Sequence, residues 1–165
     1  MNAIVSVDLN WAIGYKNDLL FHVPDDMRYF KKMTVGKVVV MGENTFYSLP
    51  KQLPLTDRIN IVLSDNKHLQ IDGVTICNSL DELIKNIQEY NPEDVFIIGG
   101  QMVYKLMLKY CNKVYVTQFY EKAKADKYFT YLPKSKNWER ISRSEPHEYN
   151  GLKFTFDRYE RKSKQ

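Results

Sequence analysis

The sequence predicts an α/β fold, with an eight-stranded, mainly parallel sheet, an antiparallel C-terminal strand and about four flanking helices. Strand-like runs alternate with helical patterns over the first two-thirds of the chain, which is typical of a parallel sheet. Several of the runs, such as VVVM and VFII, are continuously apolar, as in strands buried on both faces. The last strand-like runs alternate apolar and polar residues with no helix between them, which favours an antiparallel end.

Eight segments are predicted as strands because β-branched and aromatic residues dominate them. In chain order they are residues 3–7, 37–41, 58–63, 74–77, 95–98, 114–119, 138–141 and 153–159. Four segments carry apolar residues at helical spacing. They are residues 25–33, 44–49, 80–90 and 101–110. The helix at 80–90 has Asn78 or Ser79 as its predicted N-cap.

Length and composition indicate one folded domain over residues 1–165. The chain is 44% hydrophobic and 13% aromatic, which excludes a disordered protein. It contains no apolar run near the roughly 20 residues that span a membrane, so we expect no membrane partner. The N-terminal stretch MNAIVSVDLN lacks a basic region and carries Asp8 early, so we interpret it as a strand and not as a signal peptide. Cys77 and Cys111 form no CxxC motif, and we expect reduced thiols in a cytoplasmic protein.

The formal net charge of +4 does not by itself indicate nucleic-acid binding. Most of that charge comes from residues 158–165 (RYERKSKQ), which we interpret as a solvated basic tail. No RNA-binding or helix-turn-helix motif supports a nucleic-acid partner. The three histidines are scattered, and no H-E-x-x-H motif occurs, so no metal site is expected.

The stretch FHVPDDMRYFKK places two adjacent acids at a predicted helix N-terminus. At about 100° per residue, Asp26 shares a face with Phe30 and Met33, whereas Asp25 shares a face with Arg28. Asp25 is therefore interpreted as a solvated, ion-paired residue. Asp26 points inward, either as a cap or partner of a buried arginine, or as a lone carboxylate that binds an amidine-like group or handles a proton.

Three predicted strands end in small or hydroxyl-bearing residues. Gly99 and Gly100 follow VFII, Gly42 follows VVVM, and Ser64 follows INIVL. Such turns bring backbone N–H groups to an anion, although each is also compatible with a tight strand–helix turn. Ligands of α/β sheets lie beyond strand carboxyl ends, so three such turns suggest a long phosphorylated ligand such as a dinucleotide. The chain lacks both the G-x-G-x-x-G fingerprint and the P-loop motif.

The segments together resemble the dihydrofolate reductase family from end to end. They are AIVSVDLNWAIGYKNDLLFHVPDDMRYFKK, VVVMGENTFYSLP, LPLTDRINIVLS, VFIIGGQMVY and KVYVTQF, followed by an aromatic-rich terminal strand. The resemblance implies reduction of 7,8-dihydrofolate to 5,6,7,8-tetrahydrofolate, by hydride transfer from NADPH to C6 with protonation at N5. It also implies supply of a one-carbon carrier for thymidylate and purine synthesis, possible binding of antifolates, and a monomer.

The resemblance also assigns site residues. Asp26 matches the carboxylate that grips the pterin, Thr117 matches the hydroxyl that hydrogen-bonds this acid, and Phe21 stands where bacterial members usually have tryptophan. The implied substrate-binding residues are Ile4, Val5, Asp26, Met27, Phe30, Lys31, Leu49, Leu53, Arg58, Ile98, Tyr104 and Thr117. The implied cofactor-binding residues are Ser6, Ile13, Gly14, Leu19, Gly42, Glu43, Asn44, Thr45, Leu63, Ser64, Asp65, Gly99, Gly100, Gln101, Met102, Val103 and Tyr104.

The chain departs from the family pattern near the expected 2′-phosphate of NADPH. Glu43 and Met102 stand where cations are common, and Asp65 follows Ser64. An acid repels a phosphate dianion, so we expect reduced discrimination against NADH, with Lys67 assisting the remaining recognition. In the segment KADKYF, Ala125 replaces a glycine of the family, and we expect the dynamics of this loop to differ from the family pattern.

Two other functions remain as alternatives. One is a reductase of the same fold that acts on a pyrimidine in riboflavin synthesis, and the pairing of Asp26, Thr117 and Arg58 argues against it. The other is a catalytically silent nucleotide-binding module, which would be expected to lose Asp26 or the pocket lining.

Overall fold

A nine-stranded mixed sheet forms the centre of the computed structural model, which describes residues 1–163. A separate two-stranded ribbon pairs β2 with β8. The strands are β1 (Asn2–Val7), β2 (Ala12–Gly14), β3 (Val38–Gly42), β4 (Ile59–Leu63), β5 (Val74–Cys77), β6 (Val95–Gly99), β7 (Lys113–Phe119), β8 (Lys127–Tyr128), β9 (Trp138–Arg143), β10 (His147–Tyr149) and β11 (Leu152–Arg161). The helices are α1 (Pro24–Thr34), α2 (Glu43–Tyr47), α3 (Leu80–Ile87) and α4 (Gln101–Met107).

The order of the main sheet is β10-β11-β7-β1-β6-β3-β4-β5, with β9 also paired to β11. Strands β7, β1, β6, β3, β4 and β5 pair in parallel, whereas β9, β10 and β7 pair antiparallel with β11. The predicted α/β class, with a parallel body and an antiparallel C-terminal end, is confirmed. Because parallel strands end at one edge, β3, β4 and β6 bring their following turns together.

The continuous apolar run of β3 reflects burial on both faces. Val38 and Val40 belong to one core cluster, and Val39 and Met41 belong to another with Phe46 of α2. Alternate residues of a strand point to opposite faces, so these clusters lie on the two sides of the sheet. The same double burial explains the apolar sequence of β6.

Several predicted boundaries differ from the structure. The helix predicted to Tyr90 ends at Ile87, and α4 ends at Met107, where a 3₁₀ turn continues to Tyr110. Helix α2 covers Glu43–Tyr47 in place of residues 44–49. Strands β2, β8 and β10 were not predicted, because two or three residues are too few to show a periodicity.

The basic tail predicted to begin at Arg158 is wrong for residues 158–161, which continue β11. Tyr159 is buried, and the Arg161 guanidinium donates to the carbonyls of Leu108 (2.7 Å) and Cys111 (3.0 Å). Arg161 is thus attached to the folded body, which its charge alone does not reveal. Residues 164–165 of the predicted tail lie outside the described residues.

No helix within residues 1–163 is long and apolar enough to cross a membrane. Over the same residues, no group of histidine, cysteine and acidic side chains could hold a metal ion.

Candidate active site

The start of α1 is fixed by its first turn. Pro24 occupies a position where a helix needs no backbone N–H donor, and two carboxylates follow it at the positive end of the helix dipole. Asp25 pairs with Arg28 one turn along the helix, as predicted for the outward acid. The N-cap residue is Val23, and no side chain caps the helix. Capping therefore does not explain the inward position of Asp26.

Asp26 receives two short hydrogen bonds from the sheet. Thr117 Oγ1 of β7 donates to Oδ1, and Ser6 Oγ of β1 donates to Oδ2, each at 2.6 Å. Within the described part of the chain, the carboxylate forms no ion pair with arginine or lysine. Asp26 was expected to be a cap, a partner of a buried arginine or a lone carboxylate. The structure shows a carboxylate that has no cationic partner among the described residues.

The environment of Asp26 raises the pKa of its carboxyl group. Burial is the dominant cause, because it penalises the charged form, while the hydroxyls of Ser6 and Thr117 act in the opposite direction. Tyr29, one turn along α1, lies near this charge. Burial, with smaller contributions from Tyr115 and Asp26, raises the pKa of Tyr29 to about 12. A ligand that changes the burial or the hydrogen bonds of Asp26 would therefore change the protonation of this carboxyl group.

The apolar side chains predicted for the ligand sites differ in their exposure. Met27, Leu53 and Leu19 are large apolar residues that are each more than half exposed. Ile4 and Val5 are buried in β1, and Phe30, Leu49 and Ile98 are half-buried. Phe21 packs against Phe119, with ring centroids 4.8 Å apart. Exposed apolar residues of this kind form a surface that a flat aromatic ligand can cover.

Arg58 is oriented by two hydrogen bonds. Its Nε donates to the carbonyl of Thr56 at 2.9 Å, and Nη1 donates to Thr34 Oγ1, the last residue of α1, at 3.1 Å. Partial burial lowers the pKa of the guanidinium, while the charge of Asp57 acts in the opposite direction. No carboxylate within residues 1–163 forms an ion pair with Arg58, so a fork of N–H donors remains for a ligand. Lys31 is exposed on the same helix.

The turns after β3 and β6 approach each other closely. A Cβ added to Gly42 would lie 3.2 Å from Val103 Cγ2, and one added to Gly100 would lie 3.2 Å from Thr45 Oγ1. Gly99 has a φ of 133° and joins Gly100 through a cis peptide bond. Side chains at these glycines would therefore fill the space between the turns. Thr45 and the Gly99–Gly100 pair are thus neighbours, as are Gly42 and Val103.

Glu43 and Ser64 meet at the ends of β3 and β4. Ser64 Oγ donates to Glu43 Oε2 at 3.0 Å, and Ser64 Oγ also accepts from the backbone N–H of Asn66 at 3.1 Å. Ser64 is buried, while Asp65 and Lys67 are exposed beside it. The hydroxyl of Ser64 is thus already engaged by an acid.

The first turns of α4 combine buried and exposed positions. Tyr104 is buried and its hydroxyl donates to the carbonyl of Ile4 at 2.7 Å. Burial raises the pKa of this hydroxyl. Gln101 accepts from the backbone N–H of Tyr128 at 2.7 Å, so its side chain connects α4 to β8. Val103 is buried, and Met102 is two-thirds exposed (67%).

The segment after β2 is connected to the loop before β8. The backbone N–H of Asp126 donates to the carbonyl of Gly14 at 3.0 Å, and Asp126 Oδ2 accepts from the N–H of Lys16 at 3.1 Å. Ala125, which replaces the expected glycine, is not among the described residues with positive φ, so alanine creates no backbone strain there. Ile13 is half-buried beside Gly14.

The role of the Ser6 side chain was missed from sequence. Ser6 was assigned to the cofactor by resemblance, yet its hydroxyl binds Asp26. A lone hydroxyl in the apolar run AIVSV was the available signal. Its use required the register of β1 and β7, in which Ser6 lies directly beside Thr117.

Asp8 was also overlooked. It is fully buried, and its carboxylate accepts from the backbone N–H groups of Asn10, Ala12 and Ala123. These bonds join the end of β1 to both loops beside the site.

Comparison with known proteins gives one consistent result. The family model described as dihydrofolate reductase matches residues 1–161. The dihydrofolate reductase of Bacillus subtilis (strain 168) is 33% identical over 162 residues, covering 97% of this chain and 94% of the relative. That of Buchnera aphidicola is 36% identical over 143 residues, covering 87% and 86%. A structure of dihydrofolate reductase from Enterococcus faecalis, complexed with NADP(H) and RAB-propyl, has a TM-score of 0.87 at 28% identity, covering 98% and 96%.

Proposed function

The chain belongs to the dihydrofolate reductase family, and we propose that it reduces 7,8-dihydrofolate to 5,6,7,8-tetrahydrofolate with NADPH at the site around Asp26. The observation that carries this assignment is the half-buried Asp26 carboxylate, which accepts hydrogen bonds from the hydroxyls of Ser6 and Thr117 and pairs with no cation within the described residues. A carboxylate of this kind suits a ligand that brings its own cationic or amidine-like edge.

Asp26 binds and orients the substrate ring. A pterin presents a ring N–H and an exocyclic amine side by side, and a carboxylate accepts both in parallel. The negative charge of Asp26, in an apolar site, electrostatically favours protonation at N5. Because N5 lies away from the edge that Asp26 grips, its proton comes from water and not directly from this acid.

Other residues bind the rest of the substrate. The exposed apolar side chains of Met27 and Leu53 cover the pterin and benzoyl rings. Arg58 takes the α-carboxylate of the glutamate with its fork of donors, assisted by Lys31. The fixed orientation of Arg58 on Thr34 and Thr56 supports this assignment, because a preorganised guanidinium loses little freedom on binding.

The residues at the strand ends fit NADPH. A Cβ at Gly42 or at Gly100 would lie 3.2 Å from a side chain of the opposite turn, and without a Cβ the backbone N–H groups of these turns can approach phosphates closely. Thr45, Asn44 and Ser64 supply further polar groups. When bound, NADPH supplies the hydride that goes to C6. Tyr104 buttresses β1 through its bond to Ile4 and lies against the Gly99 turn.

We propose that discrimination between NADPH and NADH is weakened in this enzyme. Glu43 places a carboxylate on Ser64, where the 2′-phosphate is expected, and Met102 and Asp65 add no positive charge. An acid that repels a phosphate can instead accept a hydrogen bond from a ribose 2′-hydroxyl, as acidic residues do in NAD-binding folds. NADPH remains the cofactor of the family.

Further properties follow as proposals. Antifolates that present the same amidine-like edge compete with dihydrofolate for Asp26.

The whole chain forms one domain and acts as a monomer, which light scattering coupled to size-exclusion chromatography tests. The free, buried thiols of Cys77 and Cys111 support a cytoplasmic location.

The test is an assay of dihydrofolate-dependent NADPH oxidation by the purified chain. The two competing functions give different outcomes. A pyrimidine reductase leaves dihydrofolate unreduced and oxidises NADPH with a ribosylaminopyrimidine. A silent module binds NADPH and oxidises it with neither substrate.

A further inference from the structure

Ser6 and Thr117 form a matched pair of donors for Asp26. Strands β1 and β7 are parallel neighbours, and Ser6 is the register partner of Thr117. Both side chains therefore leave the sheet on the same face. Each donates to a different oxygen of the carboxylate at the same distance of 2.6 Å. The symmetry places one short, charge-assisted hydrogen bond on every oxygen of the acid.

We propose that Ser6 is a positioning residue of this active site, whose hydroxyl, with that of Thr117, fixes the plane of the Asp26 carboxylate and keeps it ionised for the substrate. The inference rests on the proposed function, since it assigns Asp26 to the pterin edge. Each oxygen that accepts one hydroxyl retains a second lone pair. Two oxygens held this way can receive two parallel N–H donors without first losing rotational freedom.

A hydroxyl of a strand serine has simpler uses, which the geometry excludes here. Serine hydroxyls frequently bond a nearby backbone group, but the hydrogen bond of Ser6 reaches a side chain on α1, 20 residues away. An apolar residue of similar size would satisfy the strand equally well. The position of the hydroxyl is thus explained by the acid that it contacts.

The hydroxyls of Ser6 and Thr117 are the polar groups that shift the pKa of Asp26, and neighbouring charges do not contribute. Tyr29 on α1 lies near Asp26 and is itself affected by Tyr115 on β7 and by Asp157 and Arg158 on β11. None of these charged groups is a cause of the shift in the Asp26 pKa. Burial raises that pKa, and the bonds from Ser6 and then Thr117 lower it. Removal of the Ser6 hydroxyl should therefore favour the protonated acid.

The experiment is a carboxyl-carbon NMR titration of the ligand-free protein, with the Asp26 resonance assigned by its loss in Asp26→Asn. In Ser6→Ala, the midpoint should rise by about one pH unit, because a hydrogen bond to a charged group is worth about as much as one unit of pKa. Ser6→Thr retains the hydroxyl on a β-branched side chain suited to a strand, and should return the midpoint to the wild-type value. Ser142→Ala removes an exposed serine of β9 and should change nothing.

Binding of dihydrofolate provides the second measurement. Loss of the preorganised, ionised carboxylate in Ser6→Ala should weaken binding about tenfold near neutral pH, with recovery in Ser6→Thr. Should Ser6→Ala not fold, Ser6→Cys fills nearly the same space with a weaker donor and should also raise the midpoint.

An unchanged Asp26 midpoint in Ser6→Ala and Ser6→Cys overturns the proposal, and so does a loss of thermal stability without any change in the midpoint. A chain that fails to reduce dihydrofolate refutes the proposed function instead, while the titration of the ligand-free protein still measures the bond between Ser6 and Asp26.

Discussion

Thr117 Oγ1 on β7 lies 2.6 Å from Asp26 Oδ1 on α1, although 91 residues separate them in the chain. Thr117 is buried and its strand pairs with β1 and β11 on its two sides. The donor is therefore held by the centre of the sheet, whereas the acceptor is held by a helix on its surface. The position of the Asp26 carboxylate relative to Thr117 therefore depends on how α1 packs against the sheet.

Removal of this donor should reduce catalysis more than folding. Thr117→Val keeps the shape of the side chain and deletes one hydrogen bond to a charge, so kcat/KM for dihydrofolate should fall about 10- to 100-fold. Thr117→Ser is the matched control, because it retains the hydroxyl and should stay within a few-fold of wild type. Steady-state kinetics at pH 7 decide. Equal activity of Thr117→Val and Thr117→Ser would remove Thr117 from the site.

Asp26→Asn should stabilise the ligand-free protein at neutral pH. The folded protein raises the pKa of Asp26 above its unfolded value, so the native state holds this proton more tightly. The ionised Asp26 therefore lowers the free energy of unfolding. This loss is absent below the pKa of Asp26 in the unfolded chain and complete above its pKa in the folded protein. Asparagine does not titrate, so the variant should be more stable than wild type at pH 7 and should lose that advantage on acidification. Urea unfolding at pH 7 and pH 4 measures it, and a larger gain at pH 4 would contradict the cause given for the shift.

Arg58→Lys should weaken binding of the glutamate portion of the substrate. Lysine keeps the charge but loses the planar fork, so KM for dihydrofolate should rise about tenfold, with kcat little changed. A dihydropterin without the glutamate is the internal control, since its KM should be the same in both proteins. Equal loss with both substrates would show that Arg58 supports the fold and does not bind the carboxylate.

Glu43→Gln should improve use of NADPH selectively. The substitution removes the negative charge beside Ser64 and keeps an acceptor and similar volume. The KM for NADPH should fall about fivefold, with the KM for NADH unchanged or higher, because only NADPH carries the 2′-phosphate. Salt should narrow the difference between variant and wild type. A wild-type preference for NADPH of several thousandfold would refute the weakened discrimination.

The fold was predicted well from the sequence because the most deeply buried strands have the clearest hydrophobic patterns. VVVM and VFII form strands covered on both faces, so their apolar runs carried the information. The ribbon strands β2 and β8 are too short to produce a pattern, and the pairing of Arg161 with carbonyls of the 3₁₀ turn depends on tertiary contacts.

The site was predictable in part. Helical spacing alone directed Asp26 inward, and the resemblance supplied Thr117. The second donor, Ser6, requires the register of β1 against β7, which local sequence does not contain. The contact of Glu43 with Ser64 likewise depends on the pairing of β3 with β4.

Parallel measurement of dihydrofolate-dependent NADPH oxidation by wild type and Asp26→Asn tests the central claim most directly. Wild type should turn over, and the variant should lose at least about 100-fold in kcat/KM while its Kd for NADPH stays the same, because only the grip on the pterin is removed. Equal turnover by the two proteins would show that this carboxylate does not carry the reaction.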